Sequence, residues 1–445
     1  MAGSPLRVAF YGGMANNCYM ACKSMRALGV DAFFVRDQLD NYVMSQPLWE
    51  DHRFSLGYDE VLASNSRTPA DWDRLADKLG WQAPHWIVDP DQLQGQAEPD
   101  FSATPHINLR NYTPAPGENY REVIAFFQTC DLLFVSNVHA VILAALSRRP
   151  YVICPAGGEF LMAAGLINAG DEDVRYVYRQ QRDLLLSAFR RTRAVLTNTS
   201  YWHHSALTGG ALPLIWNFPP SRFKRVSLPF DAQPAPDGDS KRRALNGLLA
   251  EVDQGPVAQR FSVFVPSRVD FRWKGQDRLM AAIDMVPEAR EFCFIFTGWG
   301  ADYQKLLDWK GGRENVRVLA HALSKPLLGE FNRASDLVVD QFTLGHIGTA
   351  AREAVAVGTP VMASIHETWL SRRFGRPELP VLNASSAAEI AHWLVEIAAG
   401  RCDLAKAAQA GTEWIAEYAS PQAMLAALEA AAGRRPTSDH PQASS

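Results

Sequence analysis

A chain of 445 residues has room for roughly two to three domains, and 47% apolar with 21% charged residues describes an ordinary folded protein. A net charge of −4 argues against nucleic acid as the main partner, and no apolar run reaches the roughly 20 residues of a bilayer span. The six cysteines are scattered without a Cys-x-x-Cys pair and no signal peptide is visible, so free thiols and a cytoplasmic setting are expected.

Residues 1–5 form a short tail. Leu6–Tyr11 (LRVAFY) reads as a buried parallel strand, Gly12-Gly13 as its turn, Asn16–Leu28 as a helix and Asp31–Val35 as the next strand. That order is a βαβ unit. It lacks a full G-x-G-x-x-G, so it is weak support for a dinucleotide. Cys18 and Cys22 share a helix face and read as packing residues. Residues 37–118 hold Trp49, Trp72, Trp81, Trp86 and many prolines, and read as an elaborated, ordered insertion.

Tyr120–Cys130 is an amphipathic helix and Asp131–Val135 a strand; Ser136–His139 then opens a helix to Ser147. Pro150–Cys154 is another strand, ending in Pro155-Ala-Gly-Gly-Glu159. In open parallel sheets ligands bind at the carboxyl ends of strands. His139 and Glu159 both sit at such ends. Each also has a plainer reading: a structural histidine, and a charge near a helix N-terminus. Val174–Thr192 reads as a long basic helix with Arg175, Arg179, Arg182, Arg190 and Arg191, either a solvated face or a stripe toward acidic lipid headgroups. Ala194–Thr197 and Leu212–Trp216 are strands.

Ser227–Pro256, including DAQPAPDGDSKRR, breaks the composition and reads as a linker with a flexible tip. Beyond it, the strand Phe261–Ser267 ends at Arg268, and Lys274 opens the next helix. The strand Phe292–Thr297 ends in Gly298-Trp-Gly300. The run Asp336–Phe342 leads into GHIGTAAREAVAVGTP, residues Gly345–Pro360. Gly345 and Gly348 bracket a loop before a small-residue helix, whose first N–H groups suit a phosphate. Glu353, on that helix, can accept hydrogen bonds from sugar hydroxyls. Two fixed cations and several backbone anion nests on one sheet edge suit a diphosphate and its ribose. Val361–Ser364 and Pro380–Leu382 are strands, and Ala387–Ala399, Leu404–Tyr418 and Pro421–Ala431 helices. Arg434–Ser445 is a polar tail expected to be disordered.

The words SR…KGQD, FTGWG and G-x-x-x-x-EA-x-x-x-GTPV resemble the donor-binding domain of GT-B-fold glycosyltransferases, especially the retaining family 4. The resemblance is firm over residues 261–364 and weaker elsewhere; Ile215-Trp-Asn217-Phe-Pro219-Pro resembles the word closing that family's N-terminal lobe. It implies an α/β, GT-B fold, two Rossmann-like lobes with parallel sheets facing a central cleft. The implied domains are an acceptor-side lobe at 1–226, a linker or insertion at 227–260, a nucleotide-sugar lobe at 261–419, a helix at 420–433 crossing back to the first lobe, and a disordered tail at 434–445. In GT-B enzymes the 37–118 region often shapes the acceptor site.

The implied reaction moves a sugar from a nucleotide-diphosphate sugar to a hydroxyl of a glycan, a lipid-linked sugar or a small molecule, with retention, without metal and without a further cofactor. Arg268 and Lys274 are the expected clamp on the leaving phosphate. His139 resembles a histidine near the transferred sugar, and Glu159 is a candidate for orienting or deprotonating the acceptor. Donor binding is assigned to Gly12, Gly13, Gly298, Gly300, Gly345, His346, Ile347, Gly348, Thr349 and Glu353. One departure stands out: the family's first glutamate of E-x7-E falls on Gly345, leaving His346 or Thr349 as substitutes. A catalytically degenerate binder of nucleotide sugar, a nucleotide-sugar 2-epimerase and an unrelated Rossmann oxidoreductase remain as alternatives. Weak peripheral contact with the inner membrane face through the basic helix 174–192 is a further expectation.

Overall fold

The computed structural model describes residues 5–12, 16–36, 43–57, 59–60, 69–93, 120–154, 185, 187–196, 223–224, 228–345, 347–366 and 378–434. They fall into two compact units. The first comprises Met1–Pro47, Pro69–Pro229 and Pro421–Ser445, the second Leu48–Thr68 and Phe230–Ser420.

The strands in chain order are β1 Arg7–Tyr11, β2 Asp31–Val35, β3 Ser55–Gly57, β4 Ile87–Val88, β5 Leu132–Val135, β6 Tyr151–Ile153, β7 Ala194–Leu196 and β8 Phe223–Lys224. They continue as β9 Phe261–Val265, β10 Phe292–Thr297, β11 Val316–Leu319, β12 His321–Leu323, β13 Leu337–Val339, β14 Val361–Ala363 and β15 Leu382–Asn383.

The first unit's sheet has the order β4-β2-β1-β5-β6-β7-β8, with every neighbour parallel. Its strands are near-continuous apolar runs, as burial on both faces requires. The chain builds outward from β1 through β2 to β4, then restarts on the other side of β1 with β5. That reversal opens a crevice between β1 and β5 at their carboxyl ends. Helix α1 (Asn17–Ala27) covers one face and buries Cys18, Tyr19, Cys22 and Met25. Met424 and Leu428, from the helix Pro421–Ala431, join the same core cluster. Burial pushes the Cys22 thiol well above its ordinary pKa, in keeping with a packing role. Helix α2 (Val138–Ser147) follows β5; Asn137 caps it by accepting a 2.8 Å hydrogen bond from the Ala140 N–H.

The second unit repeats the plan. Its main sheet runs β11-β10-β9-β13-β14-β15, all parallel, with the reversal between β9 and β13. Register pairs Leu337 with Val263 and Val338 with Phe264 across that switch point.

Two boundaries differ from the sequence reading. The stretch expected as a linker at 227–260 contains helix α3 (Gly238–Glu251), which buries Leu245, Leu248 and Leu249 in the second unit. Its polar start misleads because Asp237 is the N-cap, accepting from the Ser240 N–H at 2.8 Å, and Ser240–Arg243 form its outer first turns. Residues 48–68, assigned to the acceptor-side lobe, belong instead to the second unit. There β3 pairs antiparallel with β12, Ser55 opposite Leu323. Arg53 donates to Glu330 at 2.9 Å and to Glu251 at 2.6 Å. A three-residue strand paired with a partner some 270 positions away leaves no local trace. The last strand begins at Leu382, later than the expected Pro380–Leu382.

Of the basic helix 174–192, residues 185 and 187–191 are described and helical. The rest of it lies outside the described residues, as do Leu212–Trp216, the 215–220 word and the tail from 435. No helix among the described residues is long and apolar enough to cross a membrane.

Leu428 is fully buried, so Leu428→Ala is expected to destabilise the protein by about 2–5 kcal/mol, read from urea unfolding.

Candidate functional site

Both ends of the β9–β13 reversal carry polar loops. After β9, the chain turns through Ser267, Arg268 and Asp270 to Gly275, the cap of helix α4 (Gln276–Met285). Gln276 holds that turn from inside: its Nε2 donates to the Arg268 carbonyl at 2.8 Å, and its Oε1 accepts from the Asp270 N–H at 3.2 Å. Gly275 has φ +70, and a Cβ there would lie 2.7 Å from Thr343 Oγ1. The tight approach lets the Phe342 N–H donate to the Lys274 carbonyl at 2.9 Å. The two loops are thus bound to each other.

Asp340, one residue past β13, is fully buried at their junction. Its Oδ1 accepts from Ser267 Oγ at 2.9 Å and from Lys274 Nζ at 3.1 Å. Its Oδ2 accepts from the Gly348 N–H at 3.2 Å. A buried carboxylate is tolerated only when paired and hydrogen-bonded, and here three groups from three segments do so. Gly348 is required: a Cβ there would sit 2.5 Å from Asp340 Oδ2. Gln341, also buried, ties the following loop; its Oε1 accepts from the Thr343 and Leu344 N–H groups at 3.0 and 2.7 Å, and its Nε2 donates to the Ser364 carbonyl at 3.0 Å.

Helix α5 (Lys325–Ala334) follows β12, and helix α6 (Thr349–Ala356) starts directly after Gly348. The first backbone bond of α6 is Arg352 N–H to the Gly348 carbonyl, at 3.5 Å, so Thr349, Ala350 and Ala351 precede any partner four residues back. Glu353 Oε1 pairs with Lys325 Nζ. Burial alone would lower the Lys325 pKa, but the charges of Glu353, Glu50 and Asp340 outweigh it and hold the ammonium above its ordinary 10.5. Glu50 comes from the segment 48–57, which is fixed beside Lys325 where the Phe54 N–H donates to Ser324 Oγ at 2.9 Å. Arg268 is 44% exposed, and its Nε lies 3.3 Å from Asp270 Oδ2.

These contacts change the electrostatic picture drawn from sequence. Arg268, Lys274 and Lys325 each carry a carboxylate partner, so the site is not a bare pair of cations. The Gly348 N–H, expected to face a ligand, donates to Asp340.

Gly345 has φ +66, and a Cβ there would lie 1.9 Å from His366 Cδ2; the His366 N–H donates to the Gly345 carbonyl at 3.0 Å. The imidazole therefore occupies the space into which a side chain at 345 would grow. Ile347 is buried and Thr349 half-buried at the start of α6. His346 lies outside the described residues.

Gly298 and Gly300 have a packing explanation. A Cβ at Gly298 would lie 2.0 Å from the Leu319 carbonyl oxygen; at Gly300, where φ is +125, it would lie 2.3 Å from that of Val269. The Val269 N–H donates to the Trp299 carbonyl at 2.7 Å, so these glycines seat the end of β10 against the Arg268 loop.

At the first unit's own reversal, Gly12 has φ +131, and a Cβ would lie 2.0 Å from the Ser136 carbonyl oxygen. Glycine is thus required for the approach of two strand ends. His139 packs edge-on to Tyr11, ring centroids 6.2 Å apart. Burial lowers its pKa to about 4, so at pH 7 the ring is neutral. Gly13 and Glu159 lie outside the described residues.

The sequence reading missed Asp340, Gln341 and Lys325; the ligand edge after the strand Pro360–Ser364 was expected at Ile365-His-Glu367, and His366 sits there against Gly345. Asp340-Gln341 did leave a signal: two polar residues closing an apolar strand immediately before a glycine loop. Lys325 left none, because its partner Glu353 is brought to it only by the packing of α5 and α6.

No family model and no curated protein sequence matches the chain. Solved structures do match over nearly its whole length. Anabaena HepE in complex with UDP and glucose shares 16% identity at a TM-score of 0.56, covering 95% of this chain and 98% of that one. The catalytic domain of starch synthase IV from Arabidopsis thaliana, bound to ADP and acarbose, gives 13% and 0.56, with 97% and 100% covered. Sucrose-phosphate synthase from Thermosynechococcus elongatus gives 12% and 0.54, with 96% of each chain covered. These likenesses and the two parallel sheets show a GT-B fold, the class expected from the 261–364 motifs.

Two outcomes follow. Gly300→Ala forces a side chain onto the Val269 backbone at positive φ and is expected to cost about 2–4 kcal/mol in thermal unfolding. For His139, the folded pKa of about 4 lies below the unfolded 6.5, so the unfolded chain takes up the proton first. Stability should fall by about 3 kcal/mol as pH drops from 6.5 to 4, a loss that His139→Leu removes, seen as a flatter dependence of melting temperature on pH.

Proposed function

We propose that this chain is a glycosyltransferase that moves a sugar from a nucleotide-diphosphate sugar to an acceptor hydroxyl on a glycan, a lipid-linked sugar or a small molecule. One observation carries the reading: the Arg268–Lys274 loop and the start of α6 converge on Asp340 at the switch point of a Rossmann-ordered sheet. The fold's likeness to a protein crystallised with UDP and glucose supports it.

In the reaction, the bond from the anomeric carbon to the diphosphate breaks and charge collects on the leaving phosphate. Lys274 has three N–H donors, one of which is held by Asp340, leaving two for a phosphate oxygen. Asp340 thereby fixes the ammonium's direction, so little reorganisation accompanies the growth of charge. Arg268 and the first N–H groups of α6 add to the clamp. Glu353, steadied by Lys325, accepts from the ribose hydroxyls. The acceptor oxygen bonds to the anomeric carbon on the face the phosphate leaves, and its proton passes to that phosphate. This course retains configuration and uses no metal. The sugar-facing role expected of a carboxylate at 345 falls to His366, which fills that space.

That occlusion of position 345 also favours a second reading, a binder of nucleotide sugar without turnover. The deciding measurement is nucleotide release from UDP-, GDP-, ADP- and dTDP-sugars. Wild type should release one nucleotide. Lys274→Ala should lose about 100- to 1,000-fold in turnover. Asp340→Asn, which can accept on one side only, should lose at least about tenfold. Glu353→Ala should mainly raise KM. Binding without release from any donor, even with mixed acceptors, would select the second reading; no binding at all would overturn both.

A further inference from the structure

The edge of the first sheet opposite Gly12 and Ser136 carries a separate basic hollow. There the amino ends of β6 and β7 meet the end of α2. Arg148, Arg149, Arg191 and Arg193 line a depression of about 370 Å³ floored by Tyr151 and Thr192. All four arginines are exposed. The Arg149 guanidinium donates to the Gln128 carbonyl, Nε at 2.7 Å. Among the described residues no carboxylate pairs with any of the four.

A structural account explains only part of this charge. Two helices end here, α2 at Ser147 and the helical residues 187–191 at Arg191, and cations stabilise helix carboxyl ends. Each end carries roughly half a negative charge, so two amount to about one, against four guanidinium groups. The excess is about three positive charges around one hollow. Arg148 also sits at φ +62 in the cap position where glycine is the cheaper residue. The chain accepts a strained backbone to place an arginine there.

We propose that this hollow is a second anion site, binding a phosphate-bearing group. Planar guanidinium forks match phosphoryl oxygens in pairs. The volume falls in the lower range of small-molecule pockets, enough for a diphosphate or a phosphorylated headgroup rather than a lone chloride. The site lies on the sheet edge away from Gly12 and His139 and does not depend on the reading of Lys274 or Glu353.

Pyrophosphate titration by calorimetry, and co-sedimentation with vesicles of phosphatidylglycerol in phosphatidylcholine or of phosphatidylcholine alone, test it. The proteins are wild type, Lys274→Ala, Arg148→Gly, and Arg191→Ala with Arg193→Ala. Arg148→Gly relieves the positive φ, so it should fold at least as well as wild type while losing a charge. Either arginine variant should weaken binding at least about tenfold, and Lys274→Ala should keep this component, which separates the site from the proposed donor site. Arginine-dependent pyrophosphate binding supports a soluble phosphorylated ligand. Arginine-dependent binding confined to anionic vesicles supports a lipid headgroup. If neither probe shows binding that these substitutions reduce, the proposal is overturned.

Discussion

A single buried carboxylate organises the second unit's sheet edge. Asp340 closes β13, and its two oxygens draw together Ser267 from the end of β9, Lys274 from the adjoining loop and the amide that begins α6. Burying a carboxylate is costly unless each oxygen is satisfied, so these three segments are held in one arrangement or the carboxylate is stranded. Gly348 and Gly275 follow from this constraint: both stand where a Cβ would push apart groups that Asp340 and Lys274 hold close. Gln341 extends the same logic by pinning the loop to Gly345.

The pairing of Arg268, Lys274 and Lys325 each with an internal carboxylate gives the site a character that differs from a basic patch. Its charge is close to balanced, and the anion binding proposed for it rests on directed donors: two N–H groups of Lys274 and the open first turn of α6. Directed donors in a fixed frame favour developing charge over ground-state charge. The insertion 48–57 adds to the same frame from far away in sequence, setting Glu50 beside Lys325 and bracing β12 through β3.

Much of the fold was legible. Apolar strands followed by glycine turns and helices, twice over, implied parallel sheets, because strands buried on both faces must be apolar throughout. The motif words over 261–364 pointed to the GT-B class that the structural likenesses show. Polar composition misled at 227–260, where Asp-Gly-Asp-Ser is a helix start rather than a linker. Glycine patterns carry two readings at once. Gly12, Gly298 and Gly300 suit a phosphate, and each also has a backbone carbonyl within 2.3 Å of its would-be Cβ, which by itself accounts for glycine.

The sequence by itself determined what local chemistry can encode: most of the apolar strands and helices, the glycine turns between them, that Arg268 and Lys274 stand between a strand end and a helix start, and that Glu353 lies on the helix after the glycine loop. Tertiary structure alone decided their partners. Lys274 meets Asp340, Glu353 meets Lys325, and Gly345 meets His366 because sheet order places β9, β13 and β14 side by side. Those pairings join residues 21 to 66 positions apart, and no periodicity or propensity acts over such separations; only the packing of the strands into one sheet and of α5 beside α6 brings them together.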